Sequence, residues 1–96
     1  MRTNERLKAL SDEIAQLRTE IAVLEEQSQY VAEVADDARI RAIVSETPLA
    51  DREEREARED AERMRRSLDD ARARLAALRA EQDTLLERLL EESGDT

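Results

Sequence analysis

Carboxylates are the side chains that this sequence supplies in greatest number for chemistry, 25 Asp and Glu among 96 residues. Some of them are spaced to act together. Glu33 and Asp36 lie three apart, which makes them neighbours on one face of a helix. Paired carboxylates suit general acid–base catalysis, but only with tuned pKa values in a pocket that excludes water. They also suit di-metal centres, but helical bundles of that kind recruit histidines as well. The sequence has no histidine and no cysteine, and no base stands near its few serines. The only glycine is Gly94, so no glycine-rich phosphate loop exists. No catalytic, cofactor-binding or metal-ligating residue is therefore predicted, and the expected function is non-enzymatic.

The elements that carry these carboxylates explain why. Charged residues make up 43% of the sequence and apolar ones 40%, and Tyr30 is the sole aromatic. That mixture belongs to long helices and coiled coils rather than to a conventional core. Apolar or small residues recur at alternating steps of three and four through Leu7, Leu10, Ile14, Leu17, Ile21, Leu24, Ser28, Val31, Ala35, Ala38 and Ala42. A second track follows through Ala57, Ala61, Met64, Leu68, Ala71, Leu75, Leu78, Gln82, Leu85 and Leu89. Both have the a/d spacing of a coiled coil.

The two tracks meet at the only proline. Inside a helix Pro48 would cost about 3 kcal/mol, whereas at the first helical position its missing N–H has no partner to lose. Thr47 before it is a suitable N-cap, and proline steers that residue away from helical dihedrals. The sequence thus predicts one all-α domain over 1–96, an antiparallel two-helix coiled-coil hairpin. Helix one spans about 4–44, the turn 45–48 and helix two about 48–92, with a frayed tail over 93–96. Facing positions sum to 92 or to 99. The first is preferred, because its centre falls at Glu46, inside the turn. The seam is leucine-rich towards the chain ends and alanine-rich towards the turn, so the turn half should be the less stable.

Side chains off the seam suggest partners. Val23, Tyr30 and Val34 form a second stripe on helix one, and Leu86 and Leu90 flank the seam on helix two. These five are the expected self-association residues, pairing two hairpins into a homodimeric four-helix bundle; shielding by arginine and glutamate stems is the alternative. At the turn, Ile43, Val44, Glu46, Leu49 and Asp51 form a candidate docking end for another protein. Local packing, with Leu49 folded over Ile43, would remove that role. The net charge of −9 argues against direct nucleic-acid binding. No apolar run reaches membrane-spanning length and none reads as a signal peptide, so the cytoplasm is the expected location. The acidic run from Glu20 to Asp37 could face arginines such as Arg63, Arg65, Arg66, Arg72 and Arg74. Within helix two, Asp51–Arg55, Glu54–Arg58, Glu59–Arg63 and Glu62–Arg66 are spaced as i,i+4 pairs.

The stretch IVSETPLADREEREA, Ile43–Ala57, resembles the hairpin tip of the bacterial transcript-cleavage (Gre-type) factors. That family inserts its N-terminal hairpin into the secondary channel of RNA polymerase, where tip carboxylates help to hold a catalytic Mg²⁺. Val44, Ser45 and Glu46 stand in the matching places, with Ala50 and Ala57 beyond. Ile43 stands where the family has an aspartate, and the family's C-terminal globular domain has no counterpart in these residues. The resemblance implies a transcription regulator that occupies the channel without cleaving. A third class is a ligand-sensing adaptor, with an anionic small molecule gripped by arginines between paired hairpins.

Overall fold

The computed structural model describes residues 2–94, which form two helices and, among them, no strand. Helix α1 runs Arg2–Ser45 and helix α2 runs Pro48–Gly94. Together they make an antiparallel two-helix hairpin. The boundaries differ from the expected ones by a residue or two. Ser45 still belongs to α1, and Ser93 and Gly94, which the sequence predicts as tail, remain helical. Residues 95 and 96 of that tail lie outside the described residues.

The connection is only Glu46 and Thr47. Glu46 has φ of 50° and donates its N–H to the Ala42 carbonyl at 3.2 Å. A left-handed residue just past a helix, bonded back to the fourth carbonyl before it, is a recurrent C-terminal cap. Thr47 then starts α2. Its hydroxyl accepts from the Ala50 N–H at 3.2 Å, and its carbonyl accepts from the Asp51 N–H at 3.1 Å. Pro48 sits at the first helical position, where its ring costs no hydrogen bond.

The hairpin comprises two compact units, residues 2–21 with 71–94 and residues 22–70. In both, every position of the two heptad tracks is buried or half-buried. The first unit buries Leu10, Ile14, Leu17 and Ile21, with Leu10 fully enclosed. In the second, the buried residues are Leu68 and two alanines, Ala38 and Ala50. Ala50 and the half-buried Glu54 extend the second track by four- and three-residue steps ahead of Ala57.

An ion pair in the first unit selects the register. Arg6 Nε donates to Glu81 Oε2 at 2.6 Å, and a terminal nitrogen of Arg6 donates to Oε1 at 3.0 Å. If facing positions summed to 99, these residues would be offset by about 18 Å along the axis, at about 1.5 Å per residue, and could not touch. At 92 the offset is about 7.5 Å, within the combined reach of the two side chains. In the second unit, Val34 with Ala57 and Ala38 with Glu53 border one groove, again close to the sum of 92.

Two measurements follow. Thr47→Ala should lower the unfolding free energy by about 1 kcal/mol through loss of the cap. Glu46→Gly should raise it by roughly 0.5–1 kcal/mol, the left-handed cost of a Cβ less the freedom that glycine adds to the unfolded chain. Urea denaturation reads both, and destabilisation by the glycine would contradict the turn geometry. Amide exchange should also be faster in the alanine-seamed unit, over 25–60, than over 10–21, because less apolar surface is buried there. Equal protection would count against that ranking.

Candidate functional site

At the turn, the seam positions nearest the apex are Ala42 and Ala50. Short side chains close the two helix ends on each other and leave no room inside for the larger apolar residues beside them. Those residues point outward: Ile43 is 68% exposed, Val44 77% and Leu49 62%, and Ile40 is also exposed. Leu49 does not fold over Ile43 into a closed local core. Glu46 and Asp51 are exposed alongside them, with Glu46 at the apex of the reversal. The five residues expected to form a docking end thus lie on or next to one two-residue turn, all accessible.

A groove opens on one flank of the same unit. Tyr30, Val34 and Arg41 of α1 stand on one side, and Glu53, Glu56 and Asp60 of α2 on the other. Val31, Ala38 and Ala57 border the space between them, and the cavity measures ≈ 400 Å³. Its origin is the alanine seam, since Ala57 is too short to fill the gap that Tyr30 and Val34 wall. Tyr30 is 67% exposed and Val34 37%. All six wall residues occupy the position just before a seam residue, on both helices. Residues just after seam positions border a second, smaller groove in this unit, where Arg58, Glu62 and Arg65 accompany Ala32.

Val23, the third member of the expected stripe, is also exposed and also precedes a seam residue, Leu24. Leu86 and Leu90 are exposed too, but they belong to the other unit and follow their seam residues, Leu85 and Leu89. Sequence reasoning passed over Arg41, Glu53, Glu56 and Asp60 as groove residues. For Arg41, Glu56 and Asp60 the signal was present, because each precedes a seam position as Tyr30 does; Glu53 precedes Glu54, which the sequence track does not include.

Several charges pair along their own helix. Arg58 donates to Glu54 at 3.3 Å, the one expected i,i+4 pair of helix two that closes. Arg63 pairs with Asp60, three residues away, rather than with Glu59. Asp36 approaches Arg39 at 4.0 Å, so the carboxylate next to Glu33 has a cationic neighbour. Among the described residues no charged side chain is buried, and no group of three or more acidic side chains is arranged to hold a metal ion. No helix is long and apolar enough to cross a membrane. Comparison of the sequence and the fold with family models, curated proteins and solved structures finds no match.

Arg6 makes two ion pairs, reaching Glu13 on its own helix at 3.5 Å besides Glu81 on the other. The hydrogen bond from Arg6 holds the Glu81 carboxyl below the ordinary glutamate range. The same bond raises the Arg6 guanidinium above its already high value. A lowered carboxyl contributes stability above its unfolded pKa and loses it as pH falls through the folded one. Arg6 contributes at every pH below its ordinary value, so only the acid limb is open to measurement. In a carbon-detected NMR titration Glu81 should therefore titrate below the ordinary glutamate value, and Arg6→Gln should move its midpoint back up. An unmoved midpoint would show that Arg6 is not the cause.

Proposed function

We propose that this chain is a non-enzymatic coiled-coil interaction module of the cytoplasm that works by seating its turn in a pocket of another protein. The observation that carries this reading is the outward apolar cluster of Ile43, Val44 and Leu49 on a connection held by caps at both helix ends. Full burial of such side chains contributes about 1.5–3 kcal/mol each, before the costs of association. A two-residue turn with fixed dihedrals loses little further entropy on docking, so more of that gain survives as affinity. Alanines at the adjacent seam positions keep the end narrow enough to enter a recess.

A second reading rests on the apex carboxylate. Val44, Ser45 and Glu46 match the tip of the transcript-cleavage factors, and Glu46 projects from the point where the chain reverses. Such a hairpin would enter the secondary channel of RNA polymerase. With Ile43 in place of an aspartate, it would regulate transcription by occupancy.

Photo-crosslinking in the source cell tests the first reading and separates it from the second. A photoreactive residue at Val44 or Leu49 should give a discrete adduct that the same residue at Glu87 does not. Adducts of identical pattern from all three positions, or none, would remove the turn as a docking end. If the adduct contains core RNA polymerase and is lost on Glu46→Ala, the second reading holds. If the adduct survives that change, the apolar cluster alone is responsible.

A further inference from the structure

The groove beside Tyr30 poses a question that the turn does not answer. Its two walls differ in chemistry. The α1 wall presents Tyr30, Val34 and the cation Arg41, with no carboxylate among the residues that border the groove. The α2 wall presents Glu53, Glu56 and Asp60, with no cation among the residues that border the groove, and Asp60 is paired along its own helix with Arg63. A surface with one basic and apolar edge and one acidic edge is complementary to itself when it is turned over.

We propose that the occupant is a second copy of this chain, packed groove to groove with both turns at the same end. A two-fold axis parallel to the helices sets α1 of each copy against α2 of the other. In the register that sums to 92, Arg41 then stands level with Glu53 of the second copy, and Val34 level with its Ala57. Tyr30 comes level with Asp60 of the second copy, placing a phenol hydroxyl beside a carboxylate that can accept from it. Each contact occurs twice, as an isologous interface requires. The opposite arrangement, with turns at opposite ends, sets α2 against α2. It confronts Glu53 and Glu56 with the same two carboxylates, and like-charge juxtaposition rejects a partner. The charge pattern therefore selects one direction. This surface is distinct from the exposed turn, so the inference stands whether or not the turn docks on anything.

Sedimentation equilibrium of the full chain at high micromolar concentration, with helicity checked by circular dichroism, tests the pairing. The native chain should be a dimer. Arg41→Glu and Glu53→Arg should each weaken it by roughly tenfold or more, and the double variant should recover most of the loss, since close charge pairs across an interface are coupled. Arg52→Glu, the same charge change outside the groove, should leave association unchanged, which distinguishes local pairing from net charge. Both wall positions are exposed, so their variants should keep the fold. Direction is read separately. A spin label at Ser45→Cys, in a chain with no other cysteine, should give one short distance between copies. Opposed turns would set the two labels roughly 30 Å apart along the axis, from about 1.5 Å of rise per residue. A monomer, a double variant as weak as the singles, or a long label distance would overturn the proposal.

Discussion

The chain reverses direction within two residues, and the rest of the structure depends on how little freedom that leaves. Glu46 closes α1 in a left-handed conformation, and Thr47 opens α2 with its hydroxyl on the Ala50 N–H. Neither residue can be spared without undoing a cap. The point of reversal is therefore fixed at position 46, and with it the register, because the sum of facing positions is twice the number at the centre. A slip of one heptad would move that centre between Leu49 and Ala50, inside the first turn of α2. It would cost the hydrogen bonds of both caps while leaving the a/d pattern satisfied. Hydrophobic periodicity alone permits both alignments, and the turn admits one.

With the register set, residue size along the seam divides the tasks of the two units. Leu10, Ile14, Leu17 and Ile21 each contribute about 1.5–3 kcal/mol of apolar burial, and the Arg6–Glu81 pair lies in their unit. The unit nearer the turn has alanines in half of its seam positions. Alanine holds the helix, being the best helix former, but fills little of the space between axes. Two consequences share that cause: an expected lower local stability, and exposure of the larger apolar side chains the narrow seam cannot take in. Surfaces that bind are commonly found in the less stable parts of a fold. Here the same substitution of small for large residues produces both properties.

The features legible in the sequence are those set by local chemistry. Two tracks in steps of three and four, a proline placed where its missing N–H is harmless, and a threonine before it define the hairpin almost completely. The conformation of Glu46 was not legible, since glutamate has no preference for left-handed backbone and only the cap geometry demands it. The extension of the second track to Ala50 and Glu54 was obscured by a charged residue in a seam position. Glu54 is tolerated there because its carboxylate reaches Arg58. The exposure of Leu49 could not be decided from residue types, because it turns on whether Ala42 and Ala50 leave space between the helix ends. The choice of Asp60 over Glu59 by Arg63 rests on a few tenths of a kcal/mol between i,i+3 and i,i+4 geometries, below what spacing can resolve.

The acidic balance bears on any partner that these surfaces accept. Bringing two copies together doubles a net charge of −9, so long-range electrostatics oppose self-association at every orientation. Salt weakens that opposition, since the Debye length is about 8 Å at physiological ionic strength and exposed charges farther apart than this are largely screened. Contacts at the groove are of shorter range and partly apolar, and they lose less to screening than the diffuse repulsion does. The balance of the two gives a definite sign. Association driven by the Tyr30 groove should strengthen as salt is raised from low to physiological levels, whereas association driven by scattered acid–base pairs should weaken. The same reasoning separates the groove from the turn. Ile43, Val44 and Leu49 have both Arg41 and Glu46 close by in sequence, so docking there depends mainly on apolar fit and much less on ionic strength.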